Sequence, residues 1–212
     1  MPISAPSRLK SLAAVLAAAV SLCTVVTPTA HAGVLVASAT GCGTSVTAQP
    51  FARWGDSAYY ALVSNGGLEA GSTDWTLAKA SVVSGNETFY VHSAADSKSL
   101  SLPAGSSATT RAYCVGLDKP SMRFFARSSG TGLLSSLRVD ALVESSLGLT
   151  LAVPIGTISP SAAWQPSPPL LIVANLLPLL PGQQTPVAFR FTPQGIGSWS
   201  VDDVYVDPHS RS

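Results

Sequence analysis

Asn65-Gly66-Gly67-Leu68-Glu69-Ala70-Gly71-Ser72-Thr73-Asp74-Trp75 is a turn-rich loop that carries a carboxylate and ends on an aromatic. Its counterpart lies at the far end of the chain: Trp199-Ser200-Val201-Asp202-Asp203-Val204-Tyr205-Val206-Asp207, a strand-like run with two adjacent carboxylates. Oxygen ligands and tryptophan are packed together most densely in these two stretches. If they meet in space, they close one β-sandwich, and the chain between them must be built of strands.

The intervening sequence supports that condition. Apolar and polar residues alternate with period two, and Gly and Pro punctuate them at short intervals. Residues 121–128 put Met122, Phe124 and Ala126 on one face and Arg123, Phe125 and Arg127 on the other. Residues 136–143 put Leu137, Val139, Ala141 and Val143 on one face and Arg138, Asp140 and Leu142 on the other, and in 187–191 Phe189 and Phe191 point inward with Arg190 outward. Strands are also expected over 58–63, 75–83, 86–92, 99–102, 108–115, 147–158, 170–177 and 199–206, with Ser84-Gly85-Asn86 as a hairpin turn. No stretch after the N-terminal segment has apolar spacing of 3.6, so long crossovers between parallel strands have nothing to form them. The expected architecture is an all-β, antiparallel β-sandwich in a single domain.

The N-terminus has its own pattern. Arg8 and Lys10 precede an apolar run, and small residues lead to Ala30-His31-Ala32. This order reads as a secretory signal peptide over 1–32, with a mature domain over 33–212. The run is shorter than the ~20 apolar residues of a spanning helix, which argues against a membrane anchor. Removing residues 1–32 takes away Arg8 and Lys10 and no acid, turning the formal net charge of +1 into −1. A chain without a basic field is a poor partner for nucleic acid. Residues 168–182 are greasy, but Pro178 and Pro181 interrupt them, so no membrane span is expected there either.

Cys42 and Cys114 are the cysteines left after Cys23 goes with the leader. In an oxidising compartment an even pair reads as a disulfide, worth about 4 kcal/mol in the chain-entropy model. Two buried free thiols are the plain alternative, and without a His at ligand spacing the pair is no zinc motif.

Asn65-Gly66-Gly67-Leu68-Glu69 followed by Trp75-Thr76-Leu77, and the closing Val201-Asp202-Asp203-Val204, resemble the two ends of galactose-binding-like jelly rolls, notably the carbohydrate-binding modules of bacterial glycoside hydrolases. The chain also resembles small secreted actinobacterial proteins. The resemblance implies a jelly roll and a structural Ca²⁺ where the early loop meets the last strand. Glu69 and one of Asp202 or Asp203 would supply side-chain oxygens, only one of the two because neighbours on a strand point to opposite faces, with Asp203 preferred. Asn65 and carbonyls of the glycine turn would complete the shell. The resemblance further implies a glycan or cell-surface polysaccharide as partner, bound by exposed aromatics and polar groups. Trp54 and Trp164 beside turns, and Arg123, Phe125, Arg127 and Arg190 on a face away from the core, are the candidates; a solvated face of cross-strand charge pairs is the other reading of those arginines.

Catalytic chemistry finds little support. His92 lies near Ser93 and Asp96, but sequence neighbours on a turn do not line up as a relay, and no G-x-S-x-G elbow is present. His209 sits in the polar C-terminal tail. Asp140 and Glu144 share a strand face roughly 13 Å apart, too far for a pair of glycosidase carboxylates. Asn86-Glu87-Thr88 is a glycosylation sequon. The expected function is a secreted, non-catalytic module for polysaccharide or cell-wall glycan. The alternative is an extracellular protein-interaction domain of the same fold, with no sugar site.

Overall fold

Phe124 and Phe125, neighbours in one strand, are both fully buried, and that decides how many layers the molecule has. The computed structural model describes residues 39–40, 42, 45–116, 121–129, 134–144, 149–172 and 184–207. The expected signal peptide, the greasy run beyond residue 172 and the tail with His209 lie outside the described residues.

The described strands form two sheets in which every strand pair is antiparallel. The first sheet runs β10 (Gln165–Pro166), β7 (Ser121–Ser128), β13 (Trp199–Asp207), β4 (Lys98–Leu102), β3 (Ser81–Ser84), with β1 (Ala61–Leu62) also on β13 and β11 (Leu170–Leu171) on β7. The second runs β2 (Trp75–Ala78), β5 (Ser107–Thr110), β12 (Thr185–Gly195), β8 (Ser135–Glu144), β9 (Thr150–Ile158), with β6 (Tyr113–Val115) on β12. The inner faces supply Leu100, Phe124, Val201 and Val204 from the first sheet and Leu137, Val139, Phe189 and Phe191 from the second. This is the expected all-β jelly-roll sandwich. Cys42 and Cys114 are joined by a disulfide with Cα atoms 5.0 Å apart, tying the N-terminal segment to β6.

Three expectations are corrected. Residues 75–83 are not one strand: Lys79 adopts a left-handed φ of 54°, which passes the chain from β2 in one sheet to β3 in the other. Residues 86–92 form no strand, and β3 pairs with β4 directly. The amides of this loop are taken by carboxylates instead of a neighbouring strand: Glu87 accepts from the Phe89 and Val91 amides, Asp202 from Glu87 and Asp203 from His92. Finally, the outer face of β7 is covered except at Arg127. Residues 45–60, the loop after β3 and the segment around Trp164 fold over it, and Phe51, Tyr60, Phe125, Trp164 and Tyr205 make a second apolar cluster there.

Candidate functional site

β13 contains a bulge. Its register against β7 goes from Asp202↔Phe125 to Tyr205↔Arg123, so two residues, Asp203 and Val204, stand opposite one. Asp203 takes a left-handed φ of 46°. The extra residue undoes the strict alternation expected from a regular strand. Val204 stays in the core, while both Asp202 and Asp203 reach the loop between β3 and β4. That loop is where Glu87, His92 and Asp96 stand.

The result is a nest of buried acids. Glu87 and Asp202 are fully buried, Asp203 is 1% exposed and Asp96 8%. Burial, and next the charge of Asp203, push the Asp202 carboxyl up to about 9. Burial, and next the charge of Glu87, push Asp203 up to about 7. In this nest His92 Nδ1 and Asp96 Oδ2 lie in hydrogen-bond contact at 2.7 Å. His92, Asp96 and Asp203 bring three ligand atoms within 4.8 Å of one another, a set that could hold a metal. Asp203 Oδ1 is buried without a hydrogen-bond partner. Gly67 faces it: a Cβ there would lie 3.1 Å from Asp203 Oδ1, 3.5 Å from His92 Nδ1 and 3.7 Å from Asp96 Oδ2.

The other two expected metal ligands are spent elsewhere. Glu69 accepts from the Ser97 amide and hydroxyl at 2.8 and 3.2 Å and from the Lys98 amide at 2.8 Å. Asn65 donates to the Gly71 and Thr73 carbonyls and accepts from the Ala70 amide. Both hold the loop in shape. The early turn and the diacid strand do lie side by side, as expected, but Asp203 gathers with His92 and Asp96. Sequence reading missed Glu87, which looked like the middle of a sequon in a strand.

The expected stacking face is also rearranged. Phe125 is fully buried, Arg123 is 6% exposed and Trp164 4%, so these three are not open platforms. Arg123 donates to Asp56 Oδ2 at 2.8 Å and to the Ser167 carbonyl at 2.8 Å, with its Cζ 4.2 Å from the Phe51 ring centre. Trp54 is half-buried against Phe89 and Phe125, and Arg53 lies 4.8 Å over its ring. Arg127 is exposed and lies 5.0 Å over Trp164. Arg190 does not share their face at all, because β12 belongs to the second sheet.

Arg190 belongs to a different cluster. Asp140 on β8 stands opposite it in register and is 1% exposed. Arg138 Nε donates to Asp140 Oδ1 at 2.7 Å, and Arg190 Nε and Nη2 donate to Oδ2 at 3.3 and 3.0 Å. Around them opens a polar cleft of about 490 Å³, lined also by Ser107, Thr192 and Gln194. A second, more apolar cleft of about 640 Å³ lies under the N-terminal segment, against Tyr60, His92, Tyr113 and Tyr205.

No protein-family model and no curated protein matches the chain. Solved structures of similar fold include the CBM22-1 and GH10 modules of endo-1,4-beta-D-xylanase 10B from Clostridium thermocellum with xylohexaose, at 12% identity and a TM-score of 0.49, covering 69% of this chain and 28% of that one. A xylan-binding domain of family 22 is 16% identical at a TM-score of 0.46, covering 74% of this chain and 99% of that one. A family 61 carbohydrate-binding module with beta-1,4-galactotriose is 12% identical at a TM-score of 0.42, covering 70% of this chain and 98% of that one.

Proposed function

We propose that the chain is a secreted, non-catalytic module that binds a polysaccharide across the outer face of the second sheet. The observation that carries the reading is the polar cleft around Arg138, Asp140 and Arg190. It is open and is lined by guanidinium, hydroxyl and amide groups. Such a surface suits an extended chain of hydroxyls better than a compact apolar ligand. Secretion rests on the leader-like N-terminus and on the disulfide, which persists in oxidising compartments. Pull-down on insoluble polysaccharides tests the reading: the protein is retained, and Arg190→Ala abolishes retention. Full retention of that variant places the glycan elsewhere.

The acid nest is read as a calcium site. Asp203 and Asp96 would supply carboxylate oxygens; His92, a nitrogen donor, is not of the type calcium selects. The donor chemistry fits: Asp203 Oδ1 is buried without a partner, and Gly67 leaves open the space that a Cβ would fill. A bound cation would offset the charge of the buried acids.

A protein-binding surface is the second reading, favoured by Leu149, Leu151 and Leu171, which are exposed on and beside β9 and β11. Self-association in sedimentation, with no retention on any glycan, would support it.

A further inference from the structure

We infer that the cleft on the second sheet takes a polysaccharide bearing carboxylates, and that Arg138 and Arg190 bind the uronate group. The inference rests on the reading that this cleft holds a glycan; what it adds is the charge of the sugar.

One buried carboxylate, Asp140, holds two guanidinium groups, which leaves the cluster with an excess positive charge. A guanidinium carries five N–H donors. Asp140 takes one from Arg138 and two from Arg190. The side chains of Arg138 and Arg190 remain 41% and 36% exposed in the cleft, so unspent donors face its open side. Asp140 does more than balance charge. It comes from the sheet floor at 1% exposure and holds Arg190 through two donors and Arg138 through one, which reduces the side-chain freedom left to lose when a ligand arrives. A planar fork held in this way matches a second carboxylate with two parallel hydrogen bonds.

The rest of the lining decides against a neutral sugar. Among the described residues lining the cleft none is aromatic, so they offer no ring platform for a sugar face. The Ser107 and Thr192 hydroxyls offer neutral hydrogen bonds, and these exchange almost evenly with water. Charge-assisted bonds are roughly twice as strong as neutral ones. Affinity in this cleft therefore comes from charge, with the hydroxyls selecting for a sugar.

Titration calorimetry with polygalacturonate, fully methyl-esterified pectin, neutral xylan and dextran sulfate tests the inference. Polygalacturonate is expected to bind at least about tenfold tighter than its methyl ester, which keeps the backbone and loses the charge. Arg138→Lys, which keeps the charge but not the fork, is expected to lose about tenfold. Arg190→Gln is expected to lose as much, with its melting temperature checked because it removes a partner of Asp140. Equal binding of ester and acid overturns the inference, as does undiminished binding by folded Arg138→Lys. Dextran sulfate bound as tightly as polygalacturonate also overturns it, since anion attraction without carboxylate geometry would then suffice. Neutral xylan bound in an Arg190-dependent way overturns the carboxylate and keeps the cleft as a glycan site. Failure to bind any of the four overturns both.

Discussion

Gly66 and Val204 meet so closely that no side chain fits between them. A Cβ on Gly66 would lie 2.7 Å from the Val204 carbonyl oxygen and 2.9 Å from Leu62 Cδ1. The Val204 amide donates to the Gly66 carbonyl at 3.2 Å, and the Val63 amide donates to the Val204 carbonyl at 3.0 Å. The obstructing atom is backbone in a bulged strand, so it cannot swing aside. Gly66→Ala is expected to cost about 1–3 kcal/mol, the usual cost of overpacking. At roughly 2–4 °C per kcal/mol for a chain of this size, thermal melting resolves it. An unchanged melting temperature would mean that the early turn and β13 are not in contact.

That contact was legible in the sequence through a resemblance: the glycine turn and the diacid strand look like the two ends of galactose-binding-like jelly rolls, where the early loop meets the last strand. Strand faces were legible too, since Phe189, Phe191 and Arg190 fall where period two puts them. Period two separates the Phe124 face from the Phe125 face, but it does not say that residues 45–60 will cover the second. The β13 bulge is a single inserted residue, invisible in a nine-residue pattern, yet it alone brings Asp202 and Asp203 to the same loop. The Glu87 loop has strand composition, and the carboxylates of Glu87, Asp202 and Asp203 override it by taking its amides.

Trp164→Ala follows from this covering layer. The ring is 4% exposed beneath Arg127 and belongs to the second apolar cluster. Truncation is expected to cost about 3–5 kcal/mol in urea unfolding and to leave glycan retention by the folded protein unchanged. Lost retention at unchanged stability would restore Trp164 as a stacking platform.

Asp56 predicts an acid limb of stability. Burial pushes its carboxyl up, but the Tyr60 hydroxyl, the Ala58 amide and Arg123 together outweigh burial and hold it below the ordinary value of 3.8. A folded value below the unfolded one contributes stability that is present above about 3.8 and is lost as pH falls through the folded value. Asp56→Asn leaves Arg123 buried and unpaired, at a cost of about 3–5 kcal/mol near neutral pH. Urea midpoints followed from neutral to strongly acidic pH should show the gap between wild type and variant narrowing below about 3.8. A gap independent of pH would remove the ion pair as its cause.

The calcium proposal makes a prediction whose sign reverses with the metal. In saturating calcium, at about a hundredfold the dissociation constant, binding adds about 2.7 kcal/mol, so a chelator should lower the melting temperature. Asp203→Asn removes a carboxylate that would hold the ion, and should abolish the response to chelator. In chelator the same substitution also removes a buried like charge beside Glu87 and Asp96, so the variant should be at least as stable as wild type. Glu69→Ala should keep the chelator response and lower stability under both conditions, because Glu69 caps the Ser97 and Lys98 amides. Melting the three proteins with and without calcium checks all of this at once. If wild type melts identically with and without chelator, the acid nest holds no calcium; if Glu69→Ala alone loses the response, the ion sits on the early loop and away from Asp96.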